Sequence, residues 1–265
     1  MRQFQQDGLV YYKFDNFDDD AFDHAIFSRK GGSSKGPYAS LNLGGTNGDD
    51  PSAVLANHEK LFKVFGRPYS SRFDVWQVHG KTIMFSDAPR APEKKHLPAD
   101  GIFTEKPEVT LIMRFADCVP LVFHDPIQKV VGIVHAGWQG TLLRIGAEAV
   151  SAIQQRYGSR ASDLRVGLGP SICGLCYQVG EEVRQQFLKA WGKDAEQFFT
   201  KQENGLFLDL WEANEWLLRQ AGVAQIENSR CCTAENLDAW YSYRKEKGIT
   251  GRFAVVIALK LDVGT

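Results

Sequence analysis

The chain has little of what would mark it for export, for a membrane or for nucleic acid. No apolar run in its 265 residues approaches the roughly 18–20 needed to cross a bilayer. The N-terminal stretch Met1–Phe14 has no apolar segment followed by small residues, so no secretory signal is expected and the default address is the cytoplasm. Neither sign of charge dominates, with 31 Lys and Arg against 32 Asp and Glu. That balance leaves no basic excess for nucleic acid or an anionic membrane surface, and no acidic tail. Cysteine is sparse and odd in number: Cys118, Cys173, Cys176, Cys231 and Cys232. A disulfide framework is therefore not expected, and the thiols read as free, metal-ligating or nucleophilic. Internal repeats, low-complexity tracts and long linkers are missing. So are the glycine-rich dinucleotide fingerprint and the P-loop, which removes the motif basis for a Rossmann or nucleotide-triphosphate fold.

What is present is the ordinary make-up of a globular chain, 43% hydrophobic and 24% charged. β-rich runs occur at Leu9–Phe14, His24–Ser28, Phe73–Val78, Thr82–Ser86, Val109–Phe115, Pro120–His124, Lys129–His135, Leu164–Leu168, Ala224–Glu227 and Phe253–Ala258. Helical periodicity predicts Pro51–Phe65, Trp138–Tyr157, Glu181–Ala190 and Asp209–Ala221. The first helix opens Asp49-Asp50-Pro51, with carboxylates and a proline where a helix start favours them. Strands and helices mix without strict alternation, which predicts an α/β (α+β) fold: one layered domain over 1–265, with mixed sheets flanked by helices. The Pro-rich loop 87–100 is long for a structureless connection and reads as a lid or as a mobile segment.

Three apolar runs each deliver a possible ligand at their end, beside small residues. They lead to His79-Gly80, to Ala116-Asp117-Cys118, and to His135-Ala136-Gly137. Two imidazoles and a thiolate suit zinc, and three protein ligands leave a fourth position open, which is the catalytic pattern. Asp117 and Gln77 are candidates to orient a ligand or a water. Arg29 and Arg244 are candidates to bind an anion, because guanidinium matches phosphate and carboxylate in bidentate fashion. Cys173 and Cys176 form a lone CxxC whose sequence offers no second pair at matching spacing, so they read as structural thiols.

These segments, together with Ser28-Arg29, Ser40-Leu41-Asn42-Leu43, Ala99-Asp100-Gly101, Gly169-Pro170-Ser171-Ile172, Cys232-Thr233 and Ser242-Tyr243-Arg244, resemble one family in order and over nearly the whole chain. It is the laccase-domain, multicopper-polyphenol-oxidase-like purine nucleoside phosphorylase family, which includes the bacterial YfiH- and YlmD-like proteins and human FAMIN. The resemblance implies a zinc site at His79, Cys118 and His135. It further implies phosphorolysis of adenosine, inosine, guanosine and methylthioadenosine, with adenosine deamination beside it. Purine nucleoside and phosphate are the partners so implied. Arg29, Asn42, Gln77 and Arg244 are the residues expected to hold them, with Asp117 as proton shuttle. Other functions given to family members are copper-dependent phenol oxidation and editing of peptidoglycan precursors. A multicopper centre needs many histidines, and His24, His58, His96 and His124 share no pattern. A metal-free cysteine hydrolase built on Cys118 with His79 or His135 as base would use the same residues. One departure from the family is Gln139, where an Arg or Lys is frequent; it bears on how phosphate is held.

Overall fold

The computed structural model describes residues 1–17 and 21–261. In chain order, the first strands are β1 (Arg2–Gln6), β2 (Leu9–Lys13) and β3 (Phe22–Phe27), followed by helix α1 (Pro51–Phe65). The middle of the chain supplies β4 (Arg72–Phe73), β5 (Ile83–Phe85), β6 (Gly101–Thr104), β7 (Thr110–Phe115), β8 (Val119–Asp125) and β9 (Val130–Ala136). Then come α2 (Trp138–Leu142), α3 (Ile145–Tyr157), β10 (Arg165–Leu168), β11 (Gln178–Val179) and α4 (Glu181–Trp191). The chain closes with β12 (Phe199–Gln202), β13 (Gly205–Leu208), α5 (Leu210–Gln220), β14 (Gln225–Asn228) and β15 (Phe253–Leu259).

Two six-stranded mixed sheets form the centre. One has the order β1-β2-β3-β15-β7-β4, the other β14-β10-β8-β9-β6-β5, and a small antiparallel sheet β11-β13-β12 stands apart. The middle strands are buried on both faces, which is why they read as unbroken apolar runs rather than as alternation. On β15, Phe253, Val255 and Ile257 face a core shared with Val131 and Ile133 of β9, whereas Ala254 and Val256 face a second core against α1. On β9, Val130, Val134 and Ala136 turn the other way, toward Ile145, Val150 and Ile153 of α3 and Leu217 of α5. The layers are therefore α1, sheet, sheet, and the group α3, α4 and α5. Among the described residues no helix is long and apolar enough to cross a membrane.

α1 has the bounds expected from its helical periodicity, and both ends are capped. Asp50 accepts from Ser52 N at 3.0 Å, and Gly66 closes the helix in the left-handed region at φ 76°. Two expectations differ from the structure. The helix expected over 138–157 is broken at Arg144, whose φ is 62°. Tertiary contacts support the break: Trp191 Nε1 donates to Leu142 O at 3.0 Å, and Asn214 Nδ2 to Thr141 Oγ1 at 2.9 Å. The strand expected over 73–78 survives only as β4 and an isolated bridge between Trp76 and Pro98. Beyond it the backbone N–H groups serve the site described next.

Candidate metal centre

His135 is the last side chain but one of β9, buried behind Phe115. Cys118 lies in the short turn between β7 and β8, after Asp117 at φ 89°. His79 stands on an exposed bend at φ 60°. One ligand atom from each of the three lies within 4.8 Å of the other two, and the two imidazoles meet edge to face with centroids 4.8 Å apart. Room for this gathering depends on Gly137. A Cβ there would sit 2.9 Å from both Cys118 Sγ and His79 Nδ1.

Asp100 organises the trio, and no role for it was read from the sequence. It is fully buried just before β6. One oxygen, Oδ1, accepts from His135 Nδ1 at 2.8 Å and from His79 N at 3.0 Å; Oδ2 accepts from Gly80 N at 2.7 Å and Val78 N at 3.2 Å. A carboxylate only accepts, so His135 carries its proton on Nδ1 and turns Nε2 toward the centre. Three consecutive N–H groups, those of Val78, His79 and Gly80, thus go to this one carboxylate. Burial alone would raise the pKa of Asp100, but His135 and the N–H groups of Gly80 and His79 hold it below its ordinary value. Cys118 is likewise opposed by burial, yet His135 and His79 bring its thiol down to about 6. Burial would lower His135, but Cys118 and Asp100 push it up to about 9. The lowered pKa of Cys118 already favours the thiolate that a metal ion would need, whereas His135 would have to give up its Nε2 proton, keeping the Nδ1 proton that bonds to Asp100, before it could act as a ligand.

The trio opens into a cleft of about 1020 Å³. Gln139, Tyr177, Arg244 and Arg252 line it, and Trp76 and Tyr243 are half-exposed on its wall. Asp74 also lines the cleft, buried and paired with Arg90 (2.8 Å), Arg114 (2.9 Å) and His96 (3.0 Å). Burial opposes its charge, but His96, Arg114 and Arg90 hold its carboxyl far below the usual range. Arg90 and His96 belong to the loop 87–100, so these pairs tie that loop to the segment leading to His79.

The other residues expected at the site divide. Arg244 lines the cleft, with its guanidinium 4.9 Å from the Tyr177 ring and donating to Gln178 O. Gln77 also lines it, but its amide pairs with the backbone of Arg114, donating to O at 2.9 Å and accepting from N at 3.1 Å. Both carboxylate oxygens of Asp117 are taken, Oδ1 by Thr233 Oγ1 at 2.6 Å and Oδ2 by Arg244 N at 2.7 Å. Two other expected residues have their side chains engaged elsewhere. Arg29 does not line the cleft; its guanidinium holds Ala39 O, Leu237 O and Glu246 and stacks on Tyr241. Asn42 is fully buried and spends its amide on Gly44, Asp49 and Arg252 N. Both brace the loops behind the cleft, because a buried amide or guanidinium must find partners wherever the fold puts it.

The family described as multi-copper polyphenol oxidoreductase laccase matches residues 23–260. The chain belongs to this family, that of the YfiH- and YlmD-like proteins. A purine nucleoside phosphorylase of Deinococcus radiodurans is 38% identical over 239 residues, covering 90% of each chain. Purine nucleoside phosphorylase YlmD of Bacillus subtilis is 34% identical, over 88% of this chain and 87% of its own. Among solved structures, YlmD from Geobacillus stearothermophilus superposes with a TM-score of 0.89 at 32% identity, over 97% of this chain and 99% of its own. The Bacillus licheniformis protein YfiH superposes at 0.88 and 32%, over 96% and 97%. The mixed α/β architecture expected from the sequence is thus the architecture of the family. Despite the family's description, no cluster of histidines joins the trio: among the described residues the only other group of potential metal ligands is Cys173, Cys176, Cys232 and Glu235.

Proposed function

We propose that the chain is a zinc-dependent purine nucleoside phosphorylase acting on adenosine, inosine, guanosine and methylthioadenosine, with adenosine deamination as a second activity of the same cleft. The observation that carries this reading is the convergence of His79, Cys118 and His135 on one point at the floor of an open cleft, in a chain whose relatives bear the phosphorylase name. The donor set fits zinc: two imidazoles and a thiolate, with His135 held in the right tautomer by Asp100. Zinc held by these three residues would supply Lewis-acid polarisation of substrate or water.

The remaining chemistry falls to the chain's own side chains. In phosphorolysis a phosphate oxygen bonds to the anomeric carbon while the bond to the purine nitrogen breaks and the purine leaves protonated. Arg244, a cation of the cleft wall, is assigned to hold phosphate. Asp117 positions Arg244 through its backbone N–H rather than acting as a free base. Gln139 offers the anion a neutral amide only. Exposed Trp76 and Tyr243 present flat faces on which a purine can stack. The absence of further histidines near the trio gives oxidation by several coppers no support. The test is incubation of the purified chain with adenosine, with and without phosphate. Adenine should appear only with phosphate, and chelation should stop it until zinc is restored. Neither adenine nor inosine from zinc-loaded protein would overturn the reading. Turnover that survives chelation but not alkylation of Cys118 would favour a cysteine hydrolase instead.

A further inference from the structure

The CxxC that lacked a partner in the sequence has one in the fold. The sulfur atoms of Cys173, Cys176 and Cys232 and a carboxylate oxygen of Glu235 all lie within 4.8 Å of one another. None of the five cysteines is in a disulfide. Cys231, although adjacent in sequence, is separate; its sulfur accepts from Trp240 Nε1 at 3.1 Å.

The backbone already has the shape of a binding loop. Cys176 N and Tyr177 N both donate to Cys173 O at 3.0 Å, which curls the CxxC into a tight turn. The turn presses on Asp209: a Cβ at Gly174 would lie 2.7 Å from that side chain. Cys173 N donates to Cys232 Sγ at 3.4 Å, which ties the turn to Cys232. The two segments are locked by the parallel bridge of Ser171 with Cys232, and Asn236 Nδ2 holds Cys232 O at 2.8 Å. Cys173 and Cys232 are buried, Cys176 is half-buried and Glu235 is exposed. The group is therefore closed inward and reachable from solvent at one edge, as a loading path requires.

We propose that Cys173, Cys176, Cys232 and Glu235 bind a second zinc ion, with a structural role. Four protein ligands complete a tetrahedron and leave no open position, which is the structural pattern. With zinc–sulfur bonds of about 2.3 Å, neighbouring sulfurs stand about 3.8 Å apart, so side-chain rotations of an ångström or less close the site. Thiolates select zinc or copper(I), and the hard carboxylate as fourth ligand decides for zinc. On loading, the thiol protons pass to solvent.

The position explains a use. Ile172 N donates to Asp117 O at 3.0 Å and Thr233 Oγ1 to the Asp117 carboxylate, so both halves of the second site hold the residue before Cys118. Tyr177, next to Cys176, lines the cleft. The ion would staple together the wall behind the first centre.

The decisive experiment measures metal in the full chain. His79→Ala/Cys118→Ala removes two ligands of the first centre and should retain one zinc. Exchange with cobalt(II) should then give the intense thiolate-to-cobalt charge-transfer absorption of a tetrahedral three-thiolate site. Adding Cys173→Ser and Cys176→Ser should abolish both signals. Should the quadruple variant fail to fold, zinc content and the cobalt spectrum of the double variant already decide. Loss of all zinc from the double variant, with Cys173, Cys176 and Cys232 freely reactive toward a thiol reagent, would overturn the proposal. So would copper in place of zinc, or a disulfide among the three found by mass spectrometry without reductant.

Discussion

Asp100 accepts the Nδ1 proton of His135 at 2.8 Å with the same oxygen that takes the backbone N–H of His79 at 3.0 Å. One buried carboxylate thus sets the orientation of one imidazole and the chain path of the other. Asp100→Asn removes the charge and one acceptor. Metal affinity at the first centre is expected to fall by about 10–100-fold, as for other residues that orient a ligand. Competition with a chelator checks it in the Cys173→Ser/Cys176→Ser background, where the first centre is the one probed. Unchanged affinity would separate Asp100 from the metal.

Gly137→Ala tests the space. Its Cβ would stand 2.9 Å from Cys118 Sγ and His79 Nδ1, closer than carbon contacts allow. The variant should fold, with unchanged far-ultraviolet dichroism, but lose the first-centre metal and the activity together. Full metal loading would mean that the trio gathers elsewhere.

Arg244 and Arg29 should separate in kinetics. Arg244→Ala is expected to raise the KM for phosphate at least about tenfold, the factor that corresponds to roughly 1.4 kcal/mol for a lost charge-assisted hydrogen bond. Adenosine deamination, which uses no phosphate, should change far less. Arg29→Ala should instead lower the thermal midpoint with little effect on the KM for phosphate, because its bonds run to Ala39 O, Leu237 O and Glu246. Equal KM effects would contradict this division.

Acid should destabilise the fold through two histidines. Burial, then nearby Lys13 and His124, lowers His24 to about 3, and burial, then Arg114, lowers His58 to about 4. His24 Nε2 accepts from Phe14 N at 2.8 Å, a bond that the protonated ring could not make. Both folded values lie below the ordinary 6.5. Their contribution to stability is therefore complete above that pH and is lost as pH falls, at about 1.4 kcal/mol per pH unit for each ring. Imidazole resonances of His24 should show no titration between about pH 7 and pH 5; a midpoint near neutrality would contradict its burial as a neutral acceptor.

The legible parts of this chain were those with local causes. The start of α1 followed from Asp50 and Pro51, and β7, β8, β9 and β15 from apolar runs buried on both faces. His79, Cys118 and His135 could be named because each follows an apolar run beside small residues. What orients them was hidden, because Asp100 acts across the fold on groups 20 to 22 and 35 residues away. The end of the helix at Leu142 has no glycine or proline to announce it; its carbonyl is capped by Trp191, 49 residues on. The partners of Arg29 and Asn42 were hidden for a related reason. Arginine and asparagine suit anions and sugars, but they suit backbone carbonyls and N–H groups equally well, and only the fold decides which they meet.

The most direct test of the zinc phosphorylase account compares wild type with His79→Ala in one preparation series, measuring bound zinc and phosphate-dependent adenine release from adenosine. The account predicts that His79→Ala holds one zinc fewer than wild type and releases no adenine. Equal zinc in the two proteins, or adenine release that persists in His79→Ala, would contradict it.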